Sequence, residues 1–263
     1  MNLDASYSPI ISLAPWFDTP AGAYARAWEQ SRLDELTADI FGYNAVQMGL
    51  PVMDTLAANR MPNRWITDAD LPADAIGGDR QVVVVHDFTE LPFATQSLDL
   101  VVMPHVLEFA AEPHQVLREV ERVLIPEGQV IICGFNPISM WGARQTAGRM
   151  TGAHFLPLHG EFISVPRLKD WLKLLNMEIN RGHFGCYAPP CATDKWLRRF
   201  SFLENAGNRW WPYLGALYIV QAIKRVQGMR LIGPAWDKKR AVVPNAIPVT
   251  HRMKKQQDRH GSG

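Results

Sequence analysis

Two dense apolar runs, each followed at once by polar residues, constrain the fold of this chain most strongly. One is the run of valines at Val82–Val85, which leads to Asp87, and the other fills most of residues 99–103 and leads to His105. Short apolar runs of this kind are typical of strands that are buried on both faces of a parallel sheet. Ligands of such sheets bind outside the carboxyl ends of the strands. Asp87 and His105 are therefore predicted to face a ligand.

The rest of the chain repeats this alternation of short apolar runs and helical patterns. Strands are predicted at residues 45–48, 64–67, 81–85, 99–103, 129–133, 179–187 and 214–223. Helices are predicted from Pro20 to a stop at Gly42, after Pro113, and at residues 165–175 and 193–203. This order predicts an α/β fold, a Rossmann-like doubly wound and mostly parallel sheet, with an antiparallel edge strand contributed by the last two strands.

The sequence pattern also divides the chain into three segments. Residues 1–42 are predicted to be an N-terminal helical extension, and residues 43–226 contain the strands of the Rossmann-like domain. Residues 227–263 are rich in lysine and arginine and have little periodic hydrophobicity. This last segment is predicted to be a basic, disordered tail.

Composition and net charge give no support for several classes of protein. The formal net charge is +1, which gives no overall reason to expect a nucleic acid or an anionic membrane as partner. The 3 cysteines include no CxxC spacing, so no metal site is predicted. No stretch approaches the roughly eighteen apolar residues of a membrane span, and the first residues do not have the pattern of a secretory signal. We expect a cytoplasmic protein without a membrane span.

One segment of about fifty residues carries a compound motif. It begins DFTELPFATQSLDLVV and continues through PHQVLREVERVLIPEGQVII. This segment resembles the middle of the class I S-adenosylmethionine-dependent methyltransferases, in the branch that includes the ubiquinone and menaquinone biosynthesis enzymes. The resemblance implies S-adenosylmethionine as cofactor, and methyl transfer to a small molecule as the reaction.

The resemblance also implies roles for residues that follow the second and third strands. Asp87 stands where the family has the acid that contacts the adenine amino group, and Phe88 is placed to pack on the purine face. Asp68 stands where a carboxylate accepts hydrogen bonds from the two ribose hydroxyls, with Asp70 as its competitor. The alternative for Asp68 is an acid that only caps a loop.

The loop after the first strand departs from the family pattern. Gly49 fills the first position of the glycine-rich turn, but Pro51 and Met53 take the second and third, and Gln47 replaces the usual acid. Gln47 could still accept a hydrogen bond from the methionine amino group through its amide oxygen, without the strength that a charge gives. The alternative hypothesis is a pseudo-methyltransferase that keeps the fold as a binding or regulatory module.

His105 is the candidate catalytic base, because it follows the fourth strand and has a pKa suited to proton transfer near neutrality. The alternative is a loop histidine that is hydrogen-bonded to nearby backbone. Glu108 is placed either to orient His105 or to cap the next element. Asn136 and Tyr187 are candidates for lining the pocket, with turn formation and core packing as their alternatives.

Two aromatic segments are predicted to cover the site. Tyr24 and Trp28 of the N-terminal helix either cover the substrate mouth or belong to the core. The segment KWLRRF…NRWWPYLG mixes aromatic and basic residues, which favours an amphipathic lid over a surface that stacks nucleic-acid bases. A nucleic acid is thus a possible partner that is not favoured, and the pattern predicts no oligomeric state.

Overall fold

The computed structural model of the chain describes residues 13–69, 82–85, 87–151, 156, 160–190, 193–200 and 202–225. All of them belong to one compact unit, which comprises residues 1–226. The predicted basic tail at residues 227–263, the alternative ribose ligand Asp70 and residue 81 of the predicted third strand lie outside the described residues. Within the described part, no helix is long and apolar enough to cross a membrane.

A 7-stranded sheet forms the centre of the molecule, in the order β3-β2-β1-β4-β5-β7-β6. The strands are β1 (Asn44–Met48), β2 (Asn63–Asp68), β3 (Val82–Val85), β4 (Leu98–Pro104), β5 (Leu124–Phe135), β6 (Met177–Gly185) and β7 (Leu217–Lys224). The first five strands are parallel, whereas β7 runs antiparallel to both β5 and β6. The predicted α/β sheet is confirmed, and its antiparallel pair lies at the predicted edge, where β6 is the outermost strand.

The helices pack around this sheet. They are α1 (Ala14–Phe17), α2 (Pro20–Ala38), α3 (Val106–Phe109), α4 (Pro113–Val123), α5 (Met140–Thr151), α6 (Val165–Leu174), α7 (Asp194–Arg199) and α8 (Phe202–Trp210), followed by a 3-10 turn at Pro212–Leu214. The most regular amphipathic helix of the sequence, α4, buries Val116, Leu117, Val120 and Val123. That apolar stripe turns toward the sheet and leaves the charged face in solvent.

The N-terminal helix begins where its sequence signals predict. The side chain of Thr19 accepts a hydrogen bond from the Gly22 backbone amide at 3.1 Å, and Pro20 occupies the first helical position. The helix ends at Ala38, one turn before the predicted stop at Gly42. Leu33 and Leu36 on its inner face are buried in the same core as the sheet residues, so α2 is part of the folded body.

Three predictions of elements were wrong or incomplete. Residues 193–203 were predicted as one helix, but the structure has two helices there, since α7 ends at Arg199 and α8 begins at Phe202. Helix α5 was missed, since its sequence contains two glycines and no clear apolar period. The fifth strand was predicted to begin at residue 129 but begins at Leu124. Leu124 pairs with Leu98 of β4 before the irregular turn at Glu127, and Gln129 pairs with Leu100 after it.

The compound sequence motif has a physical basis in one arginine. Arg122, in the RVLIPEG segment, donates to the backbone carbonyl oxygens of Leu91 and Phe93, both at 3.0 Å, in the LPF segment. Its guanidinium also pairs with Glu119 at 2.8 Å, which in turn accepts from the Leu91 amide at 3.1 Å. The two halves of the motif are therefore one hydrogen-bonded unit, which fixes the loop that follows Asp87.

Replacing Arg122 should destabilise the protein by removing these bonds. We expect Arg122→Ala to lower the free energy of unfolding by about 1 to 3 kcal/mol, because partly buried carbonyl groups lose a charged donor. Urea denaturation measures the change. Arg118→Ala, an exposed position one turn earlier on α4, is the matched control and should change stability by less than about 0.5 kcal/mol. Equal effects of the two substitutions would contradict the proposed basis of the motif.

Candidate active site

The two predicted carboxylates lie at the ends of neighbouring strands. Asp68 is the last residue of β2 and is buried, and one of its oxygens, Oδ1, accepts from the Ala69 amide at 2.7 Å. Asp87 follows β3, is exposed, and accepts from the Thr89 amide at 2.8 Å. Because Asp68 pairs with Val85 across the two strands, both carboxylates occupy the carboxyl edge of the sheet. Phe88 differs from expectation, since its ring is buried in the core.

The loop after β1 is held closed by the side chain of Gln47. Its amide nitrogen donates to the carbonyl oxygens of Gly49 and Leu50, both at 3.1 Å, and of Met53 at 2.8 Å. Its amide oxygen accepts from the Thr55 amide at 3.0 Å and from the Thr55 hydroxyl at 2.8 Å. Gln47 is completely buried, so all of its hydrogen-bonding capacity serves the loop.

This geometry corrects the role predicted for Gln47. The sequence suggested an amide oxygen available to a ligand, but that oxygen is occupied by Thr55, eight positions along the chain. Gly49 and Leu50 both have positive φ angles, of 71° and 53°, which turn the chain so that the Leu50 side chain points into the core. Met53 is buried in the same core. The loop therefore has a well-packed structure of its own, which differs from an open glycine-rich turn.

A cavity of about 310 Å³ lies between this loop and helix α2. Its walls are formed by Ala23, Arg26, Ala27 and Gln30 of α2, and by Val52, Met53 and Asp54 of the loop. The cavity thus has one basic and one acidic side chain in an otherwise mostly apolar lining. Gln30 ties the two walls together, because its amide nitrogen donates to the Asp54 carbonyl oxygen at 2.7 Å.

His105 lies between two glutamates in the interior. Its Nε2 is 2.8 Å from Glu29 Oε1, and its Nδ1 is 2.8 Å from Glu108 Oε2. All three side chains are buried, and the other oxygen of Glu108 accepts from the Phe135 amide at 2.5 Å. His105 has a φ angle of 57°, which directs its ring away from the strand axis and onto Phe135, with 4.6 Å between the ring centroids. We call these three residues the buried acid–histidine group.

Burial and the neighbouring side chains shift the pKa values of His105 and Glu108. Burial acts to lower the pKa of His105, but Glu29 and Glu108 outweigh burial and raise the pKa to about 10. Burial raises the pKa of Glu108, against the hydrogen bonds from His105 and Phe135. His105 is therefore an imidazolium at neutral pH. The remaining oxygen of Glu29, Oε2, accepts no hydrogen bond from any described residue.

Glu29 was not predicted as a site residue, although its spacing from the apolar residues of α2 places it on the buried face of the helix. Glu29 lies four residues after Ala25 and four before Leu33, so it occupies the buried face of α2. An acid at a core position requires a partner. Glu108 does orient His105, one of its two predicted roles. The described residues contain no group of His, Cys, Asp and Glu side chains that could hold a metal ion.

The other predicted lining residues hold the surrounding loops. Asn136 donates through its amide nitrogen to the carbonyl oxygens of Tyr213 at 2.8 Å and Gly215 at 2.9 Å. The Tyr187 hydroxyl donates to the Pro212 carbonyl oxygen at 2.8 Å. The Tyr24 hydroxyl of α2 donates to the Glu204 carboxylate of α8, so this side chain connects the N-terminal helix to α8.

Comparisons with known proteins agree with this architecture. Residues 57–132 match the sequence profile of a family described as a methyltransferase domain. The chain is 28% identical to the uncharacterized protein YafS of Escherichia coli strain K12, over 92% of this chain and 93% of that protein. It is 42% identical to a demethylmenaquinone methyltransferase of Clavibacter sepedonicus over 62 residues, which are 23% of this chain and 25% of that enzyme.

The fold is also similar to a solved structure. An S-adenosylmethionine-dependent methyltransferase from Thermotoga maritima superposes with a TM-score of 0.58, at 15% sequence identity. The match covers 82% of this chain and 96% of that structure. At this identity the likeness concerns the arrangement of strands and helices.

A charge at position 47 should be incompatible with the closed loop. In Gln47→Glu, a buried carboxylate would face three carbonyl oxygens and lose all three donor contacts. We expect the free energy of unfolding to fall by about 3 kcal/mol or more, the cost of a buried charge without a partner. Urea denaturation measures it. Gln115→Glu, in the first turn of α4, is the matched control and should be neutral or slightly stabilising. A stable Gln47→Glu protein would show that the loop opens readily.

The buried acid–histidine group should make stability depend on pH. The folded protein keeps a proton on His105 that the unfolded chain releases, so the stabilising contribution is complete below pH 6.5 and is lost as the pH rises through about 10. The raised pKa of Glu108 contributes with the same sign. We expect the free energy of unfolding to fall by up to about 1.4 kcal/mol per pH unit in this window. Urea denaturation of the wild type and of Glu29→Gln should show a shallower pH slope in the variant. Equal slopes would contradict the assignment.

Proposed function

We propose that this chain, which belongs to the class I S-adenosylmethionine-dependent methyltransferases, transfers a methyl group to a small molecule. Its cofactor is S-adenosylmethionine. The observation that carries the proposal is the pair of carboxylates, Asp68 and Asp87, at the ends of neighbouring strands of a sheet with this strand order. We further propose that the protein acts in the cytoplasm.

The adenosine end of the cofactor fits the residues at the carboxyl edge. Asp68 is proposed to accept hydrogen bonds from the two ribose hydroxyls, because a carboxylate offers two acceptor oxygens on one planar group. Asp87 is proposed to accept from the adenine amino group, and its exposure leaves room for a ligand beside it. The ring of Phe88 is buried, so its proposed contribution is to support the loop on which Asp87 lies.

The amino-acid end of the cofactor requires a different arrangement from the glycine-rich turn. Gln47 is fully engaged by the loop and offers no acceptor to an amino group. The cavity between α2 and the loop has complementary charges for a zwitterion, with Arg26 for a carboxylate and Asp54 for an ammonium group. We therefore assign the amino-acid end of the cofactor to this cavity. Gly49 lies at the start of the loop that forms one of the two cavity walls.

The chemistry requires little from the protein beyond positioning. When bound, the cofactor supplies a methyl group that its sulfonium has already activated. The chain must hold an acceptor in line with that methyl group and take up any proton that the acceptor releases. His105 and Glu29 are proposed for proton handling at the end of β4. The two side chains are joined by the 2.8 Å contact between His105 Nε2 and Glu29 Oε1, and both are buried.

A second candidate function is supported by the closed loop. With Leu50 and Met53 in the core and Gln47 fully bonded, the fold could serve as a binding or regulatory module without catalysis. The two functions differ in one measurable property, the affinity for the cofactor.

Isothermal titration calorimetry with S-adenosylmethionine and S-adenosylhomocysteine tests the proposal. We expect both to bind the wild type, and Asp87→Ala to weaken binding by about 1 to 3 kcal/mol through loss of a hydrogen bond to a charged group. Glu90→Ala, an exposed acid in the same loop, is the matched control and should bind as the wild type does. Absence of binding at millimolar ligand would favour the second function. Unchanged affinity in Asp87→Ala would remove Asp87 from the site.

A further inference from the structure

One surface of the protein exposes an unusual number of large apolar side chains. It is formed by α7, α8 and the 3-10 turn that follows, which we call the cap. Six apolar side chains of the cap are between 47% and 73% exposed, and they are Trp196, Phe202, Trp210, Trp211, Tyr213 and Leu214. The Phe200 ring lies 6.0 Å from Trp196 and 6.4 Å from Phe202, and the Trp210 and Trp211 rings lie 6.4 Å apart. Scattered exposed apolar residues are ordinary, but grouped ones mark a surface that contacts a protein or a membrane.

The exposed surface continues beyond the cap. Ile138 and Met140, at the start of α5, are 64% and 51% exposed. Asn136 fixes this segment to the cap, since its amide nitrogen donates to the carbonyl oxygens of Tyr213 and Gly215. The surface therefore combines aromatic and aliphatic side chains.

The cap itself is firmly attached, so the exposure is not a sign of a loose segment. Glu204 accepts hydrogen bonds from the Tyr187 amide at 2.8 Å and from the Tyr24 hydroxyl. Leu197 is buried, and Gly207 lies against the ring of Tyr187, where an added Cβ would come within 2.2 Å of the ring. The inner face of the cap is thus specific to this fold, and its apolar outer face remains without a described partner.

The exposed charged side chains that the structure describes on the cap are basic. Lys195, Arg199 and Arg209 are exposed, and the guanidinium of Arg199 lies 5.9 Å from the centre of the Trp196 ring. The acid of α8, Glu204, is turned inward. Tryptophan and tyrosine beside lysine and arginine are characteristic of proteins that lie on a lipid surface, where the rings enter the headgroup region and the cations contact anionic lipids.

We propose that the cap and the start of α5 dock on an anionic lipid bilayer. The rings of Trp210 and Trp211 enter the interface, and Arg199 and Arg209 contact the lipid phosphates. The docking is peripheral, in keeping with the lack of a spanning helix in the described residues. It requires no methyl transfer, so its test stands apart from that of the proposed function.

Two other partners fit the surface less well. A single-stranded nucleic acid would stack on the tryptophans, but it offers nothing to the exposed aliphatic side chains of Ile138, Met140 and Leu214. A second copy of the chain, related by a two-fold axis, would bring the same cations face to face. A bilayer accommodates both the aliphatic groups and the positive charge.

Cosedimentation of the full chain with vesicles tests the proposal. We expect binding to vesicles of phosphatidylcholine and phosphatidylglycerol, weaker binding to pure phosphatidylcholine, and a blue shift of tryptophan fluorescence on binding. The double variant Trp210→Ser, Trp211→Ser should lose at least about tenfold in vesicle affinity, since two interfacial anchors are removed. Arg199→Gln with Arg209→Gln should weaken binding to anionic vesicles and reduce its salt dependence.

The matched control is a second exposed aromatic pair far along the chain from the cap. Phe41 and Tyr43 precede β1 and are 75% and 73% exposed. The double variant Phe41→Ser, Tyr43→Ser should bind vesicles as the wild type does, and the basic residues of 227–263 are common to every variant. Equal binding by both double variants, or no binding to anionic vesicles, would overturn the proposal. So would a tryptophan-dependent dimer, or tryptophan-dependent RNA binding in place of vesicle binding.

Discussion

The buried acid–histidine group is the interaction on which the arrangement of this site depends. It joins Glu29 of the N-terminal helix to His105 and Glu108, which lie between β4 and α4, over a separation of 76 residues between Glu29 and His105. In a low-dielectric interior a charged side chain is costly alone, and the contacts of His105 with both glutamates reduce that cost. The N-terminal helix is thereby tied to the carboxyl edge of the sheet, where it forms one wall of the cavity beside the first loop. Loss of His105 would leave the two buried glutamates without the imidazole that they share.

The loop after β1 shows how a family motif can be replaced by another physical solution. A glycine-rich turn allows close approach of a ligand because it lacks side chains. Here Gln47 bonds to carbonyl oxygens across the turn, and Leu50 and Met53 fill the space beneath it. The loop is stabilised by these contacts, which leave the Gln47 amide no free group. We therefore propose that other side chains recognise the amino-acid end of the cofactor. Arg26 and Asp54, on the two sides of the adjoining cavity, are the charged side chains that we propose for this role.

The sequence predicted the sheet well, because its strands are short apolar runs with sharp polar ends. It also predicted that Asp68 and Asp87 lie at strand ends, and the structure has Asp68 as the last residue of β2 and Asp87 two residues after β3. It could not predict the state of Gln47 or His105, because their partners, Thr55 and Glu29, are set by loop closure and helix packing. Residues 193–203 were predicted as one helix, since the two residues between α7 and α8 in the sequence, Phe200 and Ser201, include no proline or glycine that would mark a boundary.

Two of the side chains that attach helix α2 to the rest of the fold are Tyr24, which donates to Glu204 of the cap, and Glu29, which contacts His105. These residues are five positions apart, or about 7.5 Å along the helix axis, and moving the helix by one residue would rotate each side chain by about 100°. Both attachments would then fail together. Tyr24 and Glu29 together therefore fix both the axial position and the rotation of helix α2 against its neighbours.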